Sequence, residues 1–361
     1  MENLRTTNNF DFVFTNDGTT GLYNYDVQDI YHSSYGAKSE AIEKFIMPLN
    51  FEHNFLEKKR LNVLDICYGI GYNSKALINK IINTNYQGSI HIDALEYDKQ
   101  LVLLSPFIKD GFFACSPEIS YLLLHNLINE IYAYKKELSS ILVDRKNKKF
   151  FEPVYMRFIK KYKNFGYSYN PTRQNNSFLH NIYYHCISLR NKNHRKRLIF
   201  NNFTFKTYFD DARKTVKQLK EPYDIIFLDA FTPVKLPTLW TIDFFKELYR
   251  LSSSNSMLIT YSNSAAVRHA MIKAGFIVGK IYDKQNRNSG TCASKNPEFI
   301  QNKLDDYDLG LMQTNAGVYF KDKDLNLLPE KILANWQHEK NSSGLESSSH
   351  YIKTHKKLKD S

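Results

Sequence analysis

The stretch that decides the fold is "YDIIFLDAFTPVKLPTLW", residues 223–240. It places Asp229 directly after a continuous apolar run, residues 225–228, and two prolines and a tryptophan follow. Such a run is typical of a strand buried on both faces of a parallel sheet, although a buried helix shows the same pattern. Asp229 would then lie at the carboxyl end of the strand, the edge where open α/β sheets bind ligands. It could instead cap the next helix.

Segments of the same kind recur along the chain. Strand, turn and helix patterns occur in "RLNVLDICYGIGYNSKALINKII", "GSIHIDALEYD", "FTFKTYFDDARKTVKQL" and "SMLITYSNSAAVRHAMIKAGF". Alternation of strands and helices predicts an α/β fold with a doubly wound, mostly parallel sheet. We expect "FIVGKIYD" and "AGVYFK" to close this sheet as a hairpin.

The same reading divides the chain into four parts. Residues 1–60 are an N-terminal extension with a hairpin and a helix, and residues 61–104 with 202–335 form the α/β core. Residues 105–201 are a basic, helical insertion between the second and third strands of the core. The polar, low-complexity residues 336–361 are expected to be a disordered tail.

Positive charge is concentrated in the insertion. The chain carries a net charge of +12, and residues 135–200 alone contain 16 basic and 3 acidic residues with aromatic residues among them. Clustered cations neutralise phosphates and aromatic rings stack on bases, which favours RNA as the partner. A solvated charged surface would show part of the same pattern.

The cysteine spacing and the lengths of the apolar runs limit the class of protein to which the chain can belong. The four cysteines lie far apart without paired spacing, which argues against a zinc site or a disulfide framework and for a reducing compartment. No signal-peptide layout and no run of about 18 apolar residues occurs. We therefore expect a cytoplasmic protein with no metal, no membrane contact and no stable protein partner.

Three strand ends predict a cofactor pocket. Gly69 and Gly71 follow the first core strand and open a helix, so the backbone can approach a ligand there. Glu96 ends the second strand, where an acid can accept hydrogen bonds from both ribose hydroxyls. Asp211 ends the third strand and suits an adenine amino group. The third glycine of a dinucleotide-binding loop is missing, which favours S-adenosylmethionine.

These segments resemble a known family, the methyltransferase part of the bifunctional tRNA 5-methylaminomethyl-2-thiouridine biosynthesis protein MnmC. The resemblance covers "DGTTGLYNYDVQDIYHSSYGAKSEAIEKF", "CYGIGYN", "DDAR", "FLDAFTPVKLPTLWTIDFFKELYRL" and "LITYSNSAAVRHAMIKAGF". It implies a Rossmann-like class I methyltransferase. The implied reaction is N-methylation, by S-adenosylmethionine, of 5-aminomethyl(-2-thio)uridine at the wobble position of tRNA. The family's FAD-carrying oxidase part has no counterpart in the sequence, so no FAD is expected.

Two positions depart from the family pattern. Cys67 stands where the glycine loop usually has its first glycine. The segment "DKQNRNSGTCASKN" keeps Arg287 but lacks the glycines and the Arg-Lys pair of the family. Arg287 is therefore only a candidate for substrate contact.

Asp229 is the candidate catalytic residue. A primary amine attacks a sulfonium methyl group only when it is unprotonated and in line, and a carboxylate can orient it and accept its proton. Phe231 and Trp240 would form an aromatic wall for an extruded base, unless they are core residues. In the family the "YHSSYG" segment lies near the active site, so His32 is a substrate-binding candidate, although a lone histidine is more often structural.

Two alternatives stay open. A polyamine aminopropyltransferase has a similar fold and also holds an amine near a sulfonium, but its second acid in a DxxDP pattern is absent after Asp229. The second alternative is an RNA-binding protein with a degenerate cofactor site. The presence together of Glu96, Asp211 and Asp229 counts against it.

Overall fold

The computed structural model describes residues 10–31, 36–163 and 202–355. His32 lies outside the described residues, as do residues 164–201 with much of the positive charge of the insertion.

The strands form two sheets. The smaller is antiparallel with the order β1-β2-β3, and the larger has the order β6-β5-β4-β7-β8-β10-β9. The strands are β1 Phe10–Phe14, β2 Thr20–Asn24, β3 Asp29–Ile30, β4 Arg60–Ile66, β5 Ser89–Leu95, β6 Phe203–Tyr208, β7 Tyr223–Leu228, β8 Ser252–Thr260, β9 Ile277–Tyr282 and β10 Asn288–Ser294.

Helices cover the larger sheet and fill the insertion. They are α1 Ala37–Glu40, which continues as a π-helical segment Ala41–Ile46, α2 Phe51–Asn54, α3 Tyr72–Asn83, α4 Lys99–Leu104, α5 Pro117–Ala133, α6 Lys135–Val143, α7 Lys148–Lys163, α8 Ala212–Gln218, α9 Ile242–Leu251, α10 Ala265–Ala274, α11 Asp306–Met312, α12 Pro329–Ser342 and α13 Ser348–Thr354. Short 3-10 turns lie at Met47–Leu49, Ser105–Phe107, Pro237–Leu239, Pro297–Phe299 and Asn315–Gly317. None of the described helices is long and apolar enough to cross a membrane.

The larger sheet is buried on both faces, as the opening stretch predicts. Ile225 and Phe227 of β7 belong to one hydrophobic cluster, and Ile226 and Leu228 belong to the cluster on the other face. All four side chains are inaccessible to solvent. Strands β4, β5, β6, β7 and β8 are parallel, and β10 runs antiparallel to them. The edge strand β9 is antiparallel to β10 and so has the direction of the parallel strands. The α/β, Rossmann-like fold is confirmed.

The sheet closes differently from our expectation. β9 pairs with β10, residues Asn288–Ser294, rather than with "AGVYFK". The turn between them is short, with the Asp283 amide donating to the Arg287 carbonyl at 2.9 Å. Phe320 of "AGVYFK" makes one isolated bridge to Thr241. The hairpin prediction was therefore wrong in its second strand.

The expected disordered tail is helical where it is described. Trp336 on α12 stacks on Phe320 at 4.9 Å and donates its indole N–H to the Val318 carbonyl at 2.7 Å. Tyr351 on α13 is buried against Tyr307. Aromatic anchors in a polar segment hold it on the core, which corrects the prediction for residues 336–355.

The described part of the insertion is helical and is anchored to the core. Lys75 of α3 forms an ion pair with Asp110 at 2.9 Å, and both side chains are buried. Lys75 also donates to the Ser105 carbonyl at 2.8 Å. The Phe205 amide of β6 donates to Asn126 of α5 at 3.2 Å. The start of the insertion is thus fixed to the helix that follows the glycine loop.

Candidate active site

The loop between β4 and α3 has three residues with left-handed backbone conformation. The φ angles are 63° at Cys67, 55° at Gly69 and 84° at Gly71. At Gly71 a Cβ atom would lie 2.2 Å from the Tyr68 hydroxyl, so a side chain cannot be added there without rearrangement. Cys67 adopts a conformation that costs an ordinary L-residue roughly 1–2 kcal/mol. The family's glycine preference at this position therefore has a backbone reason.

Glu96 lies directly above this loop. Its carboxylate accepts hydrogen bonds from the Gly69 amide at 2.8 Å and from the Asp98 amide at 2.9 Å. Burial raises the pKa of Glu96 to about 7, and the two amides only partly offset that effect. The structure thus brings the glycine loop and the end of the second core strand together, and their contact with a cofactor stays a prediction.

Asp229 follows β7 on the other side of β4. Its Oδ2 accepts a hydrogen bond from Asn73 Nδ2 of α3 at 2.8 Å. Burial, followed by the negative charge of Glu40, raises the pKa of Asp229 to about 7. The three strands β5, β4 and β7 are adjacent, and β4 is where the chain order of the sheet reverses. Open α/β sheets bind ligands at such a reversal.

A cavity of about 590 Å³ opens between these carboxylates. Its volume lies within the roughly 300–1,000 Å³ of small-molecule sites. The ionisable lining residues include six acids and two bases, which are Asp29, Glu40, Glu96, Asp210, Asp211, Asp229, Lys44 and Arg213. An excess of carboxylates in a concave, partly apolar site favours a cationic ligand. No group of three or more potential metal ligands occurs in the parts of the chain that the structure describes.

Asp211 lines the cavity but is already engaged. It caps α8 and forms an ion pair with Arg213 at 2.7 Å, and Arg213 in turn contacts Asp322 at 2.8 Å. Burial would raise the pKa of Asp211, yet the hydrogen bonds from Arg213 hold it below its usual value. Asp211 is therefore ionised. Its contact with an adenine amino group remains a prediction.

Two of the predicted substrate residues are not at the cavity. Trp240 is fully buried behind its wall, where Nε1 donates to the Phe231 carbonyl at 2.8 Å. Arg287 is exposed in the β9–β10 turn and pairs with Asp283 at 2.7 Å. Trp240 is thus a core residue that fixes Phe231, because its ring is turned away from the cavity. Phe231 does line the cavity, with its ring edge-to-face against Tyr31 at 5.0 Å.

The sequence reasoning gave no role to several cavity residues, among them two charged and three aromatic ones. Glu40 and Lys44 form an ion pair at 2.6 Å on successive turns of the α1 and π-helical segments. Their i,i+4 spacing was a visible signal for an ion pair, although not for a cavity. The three aromatic residues are Tyr31, Tyr97 and Tyr261. Tyr97 directly follows Glu96, and 66% of its surface is exposed.

Comparison with known proteins places this geometry in a class. Residues 173–296 match the family model of S-adenosyl-L-methionine-dependent methyltransferases. The crystal structure of MNMC2 from Aquifex aeolicus shares the fold, with a TM-score of 0.60 and 19% identity over 92% of this chain and 84% of that chain. An uncharacterized protein of Methanocaldococcus jannaschii is 25% identical over 322 residues, which cover 89% of this chain and 70% of that protein.

The family match over residues 173–296 supports an S-adenosylmethionine-dependent methyltransferase, and the structural match shows the fold alone. The chain resembles the methyltransferase part of MnmC. The bifunctional MnmC of Ralstonia nicotianae is 38% identical over 86 residues, which are 23% of this chain and 13% of that protein. The resemblance predicted from the sequence motifs is confirmed, and the aligned part spans only a small share of the bifunctional protein.

Proposed function

We propose that the chain methylates the primary amine of 5-aminomethyl(-2-thio)uridine at the wobble position of tRNA. The observation that carries the proposal is the position of Asp229, a carboxylate with a pKa near 7 on the wall of the acidic cavity. The short sequence match to MnmC supports the substrate. The excess of carboxylates in the cavity supports a reaction between two positively charged reactants, the sulfonium of S-adenosylmethionine and a substrate ammonium.

The cavity fits S-adenosylmethionine, which supplies an electrophilic methyl group when it is bound. Glu96 is available for the ribose, because each of its oxygens has accepting capacity beyond the one amide that it binds. The exposed ring of Tyr97 gives adenine a surface on which to lie. The six acids offset the charge of a sulfonium. Gly69 and Gly71 keep the loop backbone in the conformation that supports Glu96.

Asp229 acts on the amine. A substrate ammonium has to lose a proton before its nitrogen lone pair can form the N–C bond, and the proton can pass to a carboxylate with a pKa near 7. Asn73 holds one oxygen of Asp229 and leaves the other for this role. Glu40 raises the pKa of Asp229 and Lys44 lowers it, so this pair adjusts the base. Positioned general bases contribute roughly 10²–10⁴-fold in rate.

Aromatic side chains form the binding site for the target base. Tyr31 and Phe231 line the cavity in edge-to-face contact, and the Tyr261 hydroxyl donates to the Ala230 carbonyl at 2.8 Å. Enzymes that modify a base commonly stack it between such rings after extrusion from the RNA. Trp240 supports this wall from behind through the Phe231 carbonyl.

The test is methyl transfer from radiolabelled S-adenosylmethionine, followed by nucleoside analysis. We expect labelling of tRNA that carries 5-aminomethyluridine, and none of an unmodified transcript or of tRNA with only the carboxymethylaminomethyl form. Asp229→Asn should lose about a hundredfold or more in turnover when it is measured at saturating S-adenosylmethionine. Labelling of the unmodified transcript would overturn the substrate, and aminopropyl transfer to putrescine would overturn the enzyme class.

A further inference from the structure

An aromatic and cationic patch lies away from the cavity, where β1 packs on the insertion. Phe14 at the end of β1 is 43% exposed although its ring contacts Phe150 of α7 at 4.6 Å. The ammonium groups of Lys109 and Lys149 lie 5.0 Å and 5.6 Å from the Phe14 ring centroid. Cation–π contacts of this kind hold lysine side chains in place at small cost. The ammonium groups of Lys109 and Lys149 are therefore held at defined positions beside the exposed Phe14 ring.

The surroundings of Phe14 are strongly basic. Residues 135–163, the described part of the basic segment, contain ten basic and three acidic residues. Arg145 and Lys146 in the turn before α7 and Lys149 in its first turn are all exposed. On α7 the described ion pair joins Lys148 to Glu152, and neither Lys146 nor Lys149 is paired with a described carboxylate. We call Phe14, Lys109, Arg145, Lys146 and Lys149 the Phe14 patch.

The smaller sheet connects this patch to the cavity. Phe14 pairs with Thr20 at one end of the β1–β2 ladder, and Asn24 at the other end pairs with Asp29 of β3. Asp29 lines the cavity. With about 3.4 Å per residue along β1 and about 4.8 Å between strands, the patch lies roughly 15–20 Å from Asp29. This span corresponds to about five nucleotides of a stacked strand at roughly 3.4 Å each.

We propose that the Phe14 patch binds the phosphate backbone of an RNA whose target nucleotide occupies the cavity. The inference rests on the proposed function, and it assigns the stem beside the modified loop to this surface. The patch has the charge that a phosphate backbone needs, and its lysines are held by an aromatic ring. Its distance from the cavity matches a helical stem rather than the loop itself. A short loop fragment should therefore bind much more weakly than a stem-loop.

The variant that tests the patch is Lys146→Glu with Lys149→Glu. Its matched control is Lys220→Glu with Lys273→Glu, two exposed lysines that lie just before β7 and on α10, outside the insertion and the smaller sheet. Binding of a fluorescent unmodified tRNA transcript is followed by anisotropy from 50 to 200 mM salt. We expect the patch variant to bind about tenfold more weakly, with a salt slope shallower by about 2, because two phosphate contacts are lost. The control pair should behave as the unaltered protein.

Steady-state kinetics and calorimetry distinguish a loss of RNA docking in the patch variant from damage to its fold. The patch variant should show a raised KM for tRNA, an unchanged kcat and an unchanged affinity for S-adenosylmethionine. Phe14→Leu should weaken tRNA binding a few-fold, since both ammonium groups lose their ring. If the patch and control variants bind tRNA with equal affinity while the unaltered protein still transfers methyl groups, the docking surface is overturned and the proposed function is not. Absence of methyl transfer by the unaltered protein, with tRNA still bound through the patch, would overturn the proposed function alone.

Discussion

Affinity for S-adenosylmethionine should rise steeply between pH 6 and pH 8. Glu96 and Asp229 both have a pKa near 7, chiefly because of burial. Ribose hydroxyls donate to a carboxylate and a sulfonium attracts one, so binding favours the ionised forms and releases protons. Each acid is about one-tenth ionised at pH 6 and about nine-tenths at pH 8. The dissociation constant should therefore fall about tenfold per acid, which is roughly 1.4 kcal/mol each.

Calorimetry at pH 6, 7 and 8, in two buffers with different ionisation enthalpies, measures both the affinity and the protons released. Glu96→Gln should bind more weakly at every pH and lose about one tenfold step, because one titrating group is gone. The neutral product S-adenosylhomocysteine keeps the ribose but lacks the sulfonium, so it should retain the step that belongs to Glu96. A dissociation constant that stays flat from pH 6 to pH 8, or that falls toward acid pH, would refute this reasoning.

Two further changes test the surroundings of the site. Glu40→Gln should move the acidic limb of the kcat profile to lower pH and Lys44→Met should move it to higher pH, because the two charges act on Asp229 with opposite signs; shifts in the same direction would contradict this. Lys75→Met should cost about 3–5 kcal/mol in urea denaturation, because it leaves Asp110 buried without its partner. A loss below about 1 kcal/mol, the range of exposed ion pairs, would show that the pair is not structural.

The strand ends of the cofactor site could be predicted because two signals coincide there. A continuous apolar run marks a buried parallel strand, and an acid directly after it marks the ligand-binding edge. Asp229 follows such a run, whereas Glu96 follows the mixed strand "SIHIDAL", which also ends on acids. β10 gave no such signal, since "NSGTCAS" is polar in composition although five of its seven residues are buried. The register of an antiparallel strand near the edge depends on tertiary pairing, which apolar runs do not report.

The direction of the side chains could not be predicted from the sequence, and this limited the prediction of the rest of the site. Trp240 and Phe231 lie in the same loop, yet only Phe231 faces the cavity, because the Trp240 indole turns inward to donate to the Phe231 carbonyl. Glu40 and Lys44 reach the cavity from a segment that precedes the core, and nothing local in their sequence relates them to Asp229. The helical residues 336–355 were missed for a similar reason. Trp336 and Tyr351 anchor a polar segment whose overall composition is typical of disorder.

Burial raises the pKa of Glu96 and of Asp229, and a bound cation acts on both in the opposite direction. Every cation that enters a site with six acids and two bases lowers the pKa of the nearby carboxylates, so ionisation and occupancy increase together. The coupling is reciprocal, because a ligand that favours the ionised acids must itself bind more tightly as they ionise. For the proposed reaction, cofactor binding thus converts Asp229 from a half-protonated acid to a carboxylate before an amine arrives. The fraction of protein with a proton acceptor at Asp229 is then largest in the complex where methyl transfer can follow.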